Sequence, residues 1–422
     1  MNLDWQRLKA VVIESDDWGL CAWSADEHAL RVLADTPAFR TPAGGRYGGS
    51  TLESAEDVRR LGATLAEFRG GDGFAPVLQA NTVTAAPRYE LLRPPLFEVT
   101  QLPLARPVEA SSRWNRPGLD AAVDACAAEG LWWPELHGLH HLPEHAWLTA
   151  LRRGAADARR AHEQHSPVCA AVEASGEYAA SEPRELRARN IALACERFVE
   201  RFGRPPSSMC PPDYRWDEDL ETDLEVLGLT TLQGIGEQAG HRFARMRRIT
   251  LRHHWPHRRG ERFYLPPRIA FEPSAWEAGD PSRAIESVRR RVRQAWGLGQ
   301  PAILSTHRLN YAQLSPDRAT AGRTALRELL SRMVQDGAVF LTDSEVRQLA
   351  DRGWSVRGTG TSGAILRYYG VPGEPVRFAA PPHAASARIR EGRSSGEPEL
   401  RIEQGQVVAR LNVGEYRIEW GS

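Results

Sequence analysis

Residues 10–19 read Ala-Val-Val-Ile-Glu-Ser-Asp-Asp-Trp-Gly, a short apolar run that leads into two adjacent acidic residues. A short apolar run is typical of a buried strand, and the acids lie where that strand would end. Two ionised carboxylates cannot be buried together without a cation or hydrogen-bond donors. Asp16 and Asp17 therefore indicate a metal-binding or catalytic strand end, with a helix N-cap or a solvated turn as the alternative.

A pair of histidines follows a second apolar run. Residues 131–141 read Leu-Trp-Trp-Pro-Glu-Leu-His-Gly-Leu-His-His, so His137 and His141 are four residues apart. That spacing lets both imidazoles reach one ion if the segment is a helical turn or a tight loop. Together with Asp17 they would supply three protein ligands and leave a position open for water or substrate. The alternative is a histidine-rich surface loop without a metal.

Strand candidates alternate with helical patterns along most of the chain. The candidates are residues 10–13, 74–80, 131–136, 207–210, 230–235, 262–266, 302–305 and 339–342. Short apolar strands between helices predict parallel βα units, and seven or eight such units suggest a closed or nearly closed barrel. In such barrels the chemistry lies at the carboxyl ends of the strands. The acid pair, the histidine pair and His307, which ends the run at residues 302–307, all lie at that position.

The character of the sequence changes after Trp354. Residues 356–363 are rich in Gly, Thr and Ser without apolar periodicity, which is typical of a linker. Short segments of alternating apolar and polar residues follow, and these predict a small antiparallel β module. We therefore predict a barrel over residues 1–354 and a β-rich accessory domain over residues 355–422.

Composition narrows the class of protein. The 422 residues include 54 basic and 54 acidic side chains, and this balance argues against a nucleic-acid partner. The five cysteines are odd in number and lack C-x-x-C spacing, which suits a reducing compartment. Neither a signal-peptide pattern nor an apolar run long enough to cross a bilayer is visible. The sequence predicts a cytoplasmic protein without a membrane span, and it leaves the oligomeric state open.

Three of these stretches resemble motifs of the polysaccharide deacetylase (NodB-homology) superfamily, carbohydrate esterase family 4. Residues 15–19, Ser-Asp-Asp-Trp-Gly, resemble the first motif; residues 137–141, His-Gly-Leu-His-His, the second; and residues 304–307, Leu-Ser-Thr-His, the fifth. The similarity covers roughly the first 350 residues in order and spacing. It implies a distorted (β/α)7 barrel.

The same resemblance implies roles for five residues. Asp16 would be the general base and His307 the general acid. A divalent metal, with zinc expected, would be bound by Asp17, His137 and His141. Base and acid should then flank the metal from opposite sides, because water attack and amine departure occur on different sides of the acyl carbon.

Two motifs of the family depart from this pattern. The third contains an arginine that orients the catalytic base, and here Cys210 stands at the corresponding place in residues 209–216, with Arg215 as a substitute. The fourth contains an aspartate that tunes the catalytic histidine, and residues 232–237 offer no clear match. We expect substrate contacts near these motifs, from Trp18, whose face suits a sugar ring, and from Asp213, Tyr214 and Arg215.

These patterns predict a metal-dependent hydrolase that removes acetyl groups, through amide or ester bonds, from an acetylated sugar or a related intracellular substrate. Two alternatives stay open: a barrel that binds carbohydrate without catalysis, and a hydrolase of C–N bonds in a substrate that is not a sugar. Metal content separates the binding protein from the hydrolases, and acetate release separates the two hydrolases.

Overall fold

The computed structural model describes residues 3–93, 97–99, 101–172, 176–235, 255–276, 280–359, 363–393 and 399–421. The described helices are α1 (Trp5–Leu8), α2 (Glu27–Leu33), α3 (Pro42–Tyr47), α4 (Ala55–Ala66), α5 (Leu119–Ala128), α6 (Glu144–Arg152), α7 (Ala156–Glu163), α8 (Arg184–Phe202), α9 (Glu218–Val226), α10 (Pro281–Gly297), α11 (Pro316–Gln335) and α12 (Asp343–Arg352). The described strands are β1 (Ala10–Trp18), β2 (Leu78–Thr82), β3 (Ala86–Pro87), β4 (Leu104–Ala105), β5 (Trp132–Leu136), β6 (Ser208–Met209), β7 (Thr231–Leu232), β8 (His257–Arg259), β9 (Arg262–Tyr264), β10 (Ile269–Ala270), β11 (Ala302–His307), β12 (Val339–Leu341), β13 (Trp354–Thr359), β14 (Gly363–Tyr368), β15 (Pro375–Ala379), β16 (Ser386–Arg393), β17 (Glu399–Glu403), β18 (Gln406–Arg410) and β19 (Gly414–Gly421).

The central sheet is curled and almost entirely parallel. Its order is β10-β11-β1-β2-β5-β6-β7-β9-β8, with β12 also paired to β1, and among the strands described here only β8 runs antiparallel to its neighbour. Strand β1 pairs with β11 along one side and with β12 and then β2 along the other, and all nine of its residues are buried. This arrangement confirms the predicted α/β class and the distorted barrel.

Helices cover this sheet because each presents an apolar stripe to it. Helix α10 buries Ile285, Val288, Val292 and Trp296, which are spaced three or four residues apart along one face. Helix α4 begins at a capping box in which the Ser54 and Asp57 side chains each bond the other's backbone N–H. Within the described residues, we find no helix with the length and apolarity that a bilayer crossing requires.

Each predicted strand of the barrel overlaps an observed one, but β10 was not predicted. It has only two residues, Ile269 and Ala270, and pairs in parallel with β11 at the edge of the sheet. The apolar stretch that contains it, residues 269–271, is shorter than any of the runs that predicted the other strands. Its position beside β11 nevertheless brings its flanking residues to the same edge as His307.

The predicted linker is wrong over its first half. Residues 354–359 form β13, which pairs antiparallel with β14, whereas residues 360–362 lie outside the described chain. The inward positions of β13 are polar, since Ser355, Arg357 and Thr359 are buried. Burial therefore alternates along β13 as it does in other strands. Because the buried positions are polar, the sequence shows no alternation of apolar and polar residues that would indicate a strand.

Two antiparallel sheets, ordered β13-β14-β19-β16 and β15-β18-β17, form the predicted C-terminal β module around a small apolar core. Buried charges join this module to the barrel. Arg367 of β14 binds Asp72, with Nη2 at 2.6 Å from Oδ2, and also contacts Glu345 of α12. Arg357 of β13 donates to Glu345 at 3.1 Å and to the Gly130 carbonyl at 2.8 Å. The arginines belong to the module and the carboxylates to the barrel, so the buried charges of each part are neutralised by the other part.

Candidate metal and catalytic site

Three parallel strands deliver the predicted site residues to one edge of the sheet. Strands β1 and β11 pair in register, with Asp16 opposite His307, while His137 follows β5 directly. The chain turns at the end of β1, where Asp17 has φ +73° and Gly19 has φ +78°. A Cβ on Gly19 would lie 2.5 Å from the Val83 carbonyl oxygen, so only glycine fits this turn.

Asp17, His137 and His141 meet at one point. Asp17 Oδ1 lies 3.4 Å from His137 Nε2 and 3.7 Å from His141 Nε2, and one donor atom from each residue lies within 4.8 Å of the others. Ligands about 2 Å from a tetrahedral ion are about 3.3 Å apart, so these separations fit a small divalent cation. Burial alone would raise the pKa of Asp17, but His137, His307 and His141 outweigh it and hold that pKa far below its ordinary value. The carboxylate is thus ionised, as a metal ligand must be.

The His137 ring is oriented by a backbone contact. Its Nδ1 lies 2.7 Å from the Cys210 carbonyl oxygen, which accepts a hydrogen bond, so Nδ1 carries a proton and Nε2 is the nitrogen that faces Asp17. A ring nitrogen fixed in this way is typical of metal-binding histidines.

Glu177, which was not predicted from the sequence, holds the loop that carries both histidines. Its buried carboxylate accepts hydrogen bonds from the backbone N–H groups of Leu139, His140 and His141, at 3.1, 3.2 and 2.9 Å. The loop needs such support because Gly138 and His141 have φ of +92° and +57°. Glu177 therefore acts as a positioning group for the histidine pair.

The neighbouring His140 faces away from this point. It is buried, with Nε2 3.3 Å from Glu144 Oε2, and Leu142 N–H donates to its Nδ1 at 3.2 Å. Of the histidines in residues 137–141, only the first and last reach Asp17.

Arg268, immediately before β10, binds the carboxylate of Asp16. Its Nη1 and Nη2 donate to the two Asp16 oxygens at 2.8 and 3.0 Å, and Asn81 donates to Oδ1 at 2.6 Å. The opposite side of the guanidinium places Nε 2.6 Å from Glu14 Oε2. Burial would raise the pKa of Asp16, but Arg268, His137 and His307 outweigh it and keep the carboxylate ionised.

Arg268 thus occupies the place for which Arg215 was considered. Arg215 is exposed, whereas Arg268 is buried and its Nη1 lies 3.1 Å from Cys210 Sγ. The small thiol at position 210 leaves room for a guanidinium that arrives from another strand. Arg268, and not Arg215, is therefore the arginine that contacts Asp16.

Glu272, two residues after β10, binds His307. The His307 Nδ1 lies 2.6 Å from Glu272 Oε1, while Arg46 and Asn310 donate to Oε2 at 2.6 and 2.9 Å. Burial would lower the pKa of His307, but Glu272, together with Asp17 and Asp16, raises it to about 9. The imidazole is therefore protonated at neutral pH, and a carboxylate like the one expected from the fourth motif is present.

Base and acid candidates are neighbours in the structure. His307 Nε2 lies 3.9 Å from Asp16 Oδ2, because the two residues are cross-strand partners of β11 and β1. The expectation that they stand on opposite sides of the site differs from this placement. Parallel pairing in register puts the ends of neighbouring strands side by side. The spacing of the motifs in the sequence did not show that β1 and β11 are neighbours.

The four predicted substrate contacts are placed differently from one another. Trp18 is 1% exposed, its Nε1 donates to Ser15 Oγ at 2.9 Å, and its ring packs on Trp132, so it belongs to the core beneath the site. The Tyr214 hydroxyl accepts from Arg268 at 2.7 Å and lies beside the base. Asp213 and Arg215 are exposed at the rim.

A second group of donors overlaps the first. Asp16, His137 and Cys210 also offer atoms within 4.8 Å of one another. Here, however, both oxygens of Asp16 already face Arg268, whose Nη1 also approaches the sulfur. A cation at this point would be repelled by the guanidinium. The group containing Asp17 is the better metal site.

The comparisons with known proteins found similarity in structure but none in sequence. No family model matches the chain, and no curated protein matches it. A protein assigned as a polysaccharide deacetylase from Mycobacterium smegmatis is 16% identical, with 81% of this chain and 89% of that chain covered and a TM-score of 0.40. The carbohydrate deacetylase Agd3 is 10% identical, with 98% and 65% covered and a TM-score of 0.42.

The 4-alpha-glucanotransferase from Thermococcus litoralis is 9% identical, with 80% and 40% covered and a TM-score of 0.42. This chain therefore spans less than two thirds of the length of the last two proteins. All of these TM-scores are below 0.5, so roles for individual residues rest on the geometry of the site. The chain is similar in structure to carbohydrate-active enzymes, two of which are described as deacetylases.

Proposed function

We propose that this protein is a metal-dependent hydrolase that removes acetyl groups from an acetylated sugar or a related small molecule. One observation carries the proposal: three donor atoms suited to a divalent ion lie at one edge of the sheet, beside the carboxylate of Asp16 and the imidazole of His307. The odd number of scattered cysteines supports a cytoplasmic substrate.

Asp17, His137 and His141 would hold the ion. Two imidazoles and one carboxylate are donors that zinc accepts, and three protein ligands leave room for water or substrate. A bound divalent ion would polarise the acyl carbonyl and make a water molecule more acidic. Glu177 fixes the loop of the histidines, so the donor atoms are held in place before the ion arrives.

Asp16 would accept the proton of the attacking water. Arg268 and Asn81 orient its carboxylate, and the guanidinium keeps it ionised at neutral pH. His307 would then donate a proton to the departing amine or alcohol. Glu272 keeps the imidazole protonated until that step and stabilises its positive charge.

Acetate release tests the proposal directly. The zinc-loaded protein is incubated with N-acetylglucosamine, its oligomers, O-acetylated sugars and N-acetyl amino acids, and free acetate is quantified. Release from the sugars supports the proposal, whereas release from the amino acids alone supports a hydrolase of substrates that are not sugars. Sugar binding without release, with zinc bound, would contradict catalysis and favour a carbohydrate-binding barrel.

A further inference from the structure

Tyr47 lies at the end of α3, beside the candidate site. Its ring is edge-on to the His307 ring, with centroids 6.2 Å apart and an interplanar angle of 79°. Sequence patterns did not single it out, because residues 42–47 carry no catalytic motif. Its position comes from the loop that leads from β1 toward α4.

Two neighbours fix the orientation of this ring. Trp23 stacks on it with centroids 5.8 Å apart at 17°, and the Arg46 guanidinium carbon lies 4.7 Å from its centroid. Arg46 also binds Glu272 Oε2 at 2.6 Å, the carboxylate that holds His307. The phenol is therefore tied to the same ion pair that positions the acid.

The Tyr47 hydroxyl has no hydrogen-bond partner among the described residues, and it is not a fully buried atom. Burial raises the pKa of Tyr47 above its ordinary value, and the negative charges of Asp17, Glu272 and Asp213 add to this effect. The phenol thus keeps its proton at neutral pH. An O–H group without a protein acceptor is thus carried by a ring that lies edge-on to His307 and is held by Trp23 and Arg46.

We propose that Tyr47 is a further catalytic residue, whose hydroxyl donates a hydrogen bond to the acyl oxygen of the substrate as that oxygen gains negative charge. No proton is transferred, since the phenol only shares its hydrogen. A fixed donor aimed at a developing oxyanion typically contributes about 10²–10³ in kcat. This inference rests on the proposed acyl-transfer function and adds a donor that none of the three motif matches contains.

Tyr47→Phe tests this role because it removes only the hydroxyl and keeps the ring between its neighbours. With a substrate from the acetate assay, kcat should fall about 10²-fold with KM within about twofold. The zinc content should be unchanged. Tyr369→Phe is the matched control, since Tyr369 lies in the C-terminal module and its hydroxyl bonds Glu415 at 2.8 Å. That variant should keep wild-type kcat.

A binding measurement separates this inference from the proposed function. Methylphosphonate offers tetrahedral anionic oxygens, and its affinity for the zinc-loaded protein can be measured by calorimetry. We expect Tyr47→Phe to bind it about tenfold more weakly than wild type, whether or not acetate release is found. Equal affinities in the two proteins, or an unchanged kcat in Tyr47→Phe, would overturn the role of the hydroxyl.

Discussion

The two strands on either side of β11 contribute in different ways to the candidate site. Strand β1 is long, central and fully buried, and its end carries the two carboxylates that face the chemistry, Asp16 and Asp17. Strand β10 has two residues at the sheet edge, and its flanks carry Arg268 and Glu272. These flanking residues contact Asp16 and His307: Arg268 lowers the pKa of Asp16, and Glu272 raises the pKa of His307.

The long strands and the short edge strand therefore contribute different things to the site. The long strands present the groups that would meet substrate and metal, and the short edge strand sets the charge of two of them. The proposed mechanism requires opposite charges on Asp16 and His307, since a base must be ionised and an acid protonated. The following variants should separate the two contributions, in descending order of expected effect.

Arg268→Met should cause the largest loss. It leaves the ionised Asp16 buried without its bidentate partner, and breaking a buried pair typically costs about 3–5 kcal/mol in unfolding free energy. Urea unfolding monitored by tryptophan fluorescence measures this loss. Arg215→Met is the matched control and should change stability by about 0.5 kcal/mol or less, because Arg215 is exposed. Equal effects of the two variants would contradict the assignment of Arg268 as the partner of Asp16.

Asp16→Asn should abolish most turnover without loss of the metal. The amide cannot accept the proton of water, so acetate release should fall by about 10²-fold or more. Zinc content measured by atomic absorption should stay at the wild-type level. The exposed Asp35→Asn variant serves as control. Wild-type turnover in Asp16→Asn would rule out a base at this position.

Glu177→Gln should weaken metal binding by about 10–100-fold, the usual effect of removing a group that orients metal ligands. In the wild type, backbone N–H groups donate to the carboxylate oxygens of Glu177. In the variant, the amide NH₂ would face these donors in place of one oxygen, and the hydrogen bonds to it would be lost. Competition with a fluorescent zinc chelator measures the affinity. Glu182→Gln is a close control, because buried Glu182 caps the start of α6 by the same type of contact, at 2.7 and 3.1 Å. A similar fall in both variants would indicate a general loss of structure.

Glu272→Gln should change the pH profile more than the maximal rate. His307 must be protonated to act, so the wild-type kcat/KM should fall as pH rises through about 9. Because Glu272 is one of three carboxylates that raise the pKa of His307, that pKa should fall without it, and the rate at pH 8 should drop by up to about 30-fold. At pH 5.5 the two proteins should differ little. An unshifted alkaline limb would show that Glu272 does not control this proton.

The folded-state pKa of His307 also gives a sign for stability. Because it lies above the unfolded value of about 6.5, the stabilising contribution is complete below that pH and is lost as pH rises through about 9. Urea unfolding curves recorded at a series of pH values measure this loss of unfolding free energy. In Glu272→Gln the loss at alkaline pH should be smaller than in the wild type.

A separate test concerns the predicted division at residue 354. Arg367→Leu removes the cation shared by Asp72 and Glu345 and should weaken the contact between module and barrel. We expect lower stability with unchanged zinc affinity, because the metal triad lies at the other strand ends. Loss of zinc binding in this variant would show that the module supports the site. A chain ended at Trp354 should behave similarly, with two buried carboxylates left unpaired.

The barrel could be predicted where its strands are apolar runs, as in residues 10–13 and 302–305, because burial on both faces dictates such runs. Strand β10 could not, since its apolar stretch of residues 269–271 is shorter than the runs that indicate a strand. Arg268 and Glu272 were missed for the same reason, although they flank the short apolar stretch Ile-Ala-Phe. Each of the two binds a residue that is distant in the sequence, and no local sequence pattern indicates such a contact. Strand β13 was hidden because its inward residues are polar.

The most direct test of the account is anomalous diffraction at the zinc edge from crystals grown with zinc. We predict a single strong peak about 2 Å from Asp17, His137 Nε2 and His141 Nε2, with Arg268 still bound to Asp16. A peak between Asp16, His137 and Cys210, or no peak at this edge of the sheet, would contradict the assignment of the metal site and the mechanism built on it.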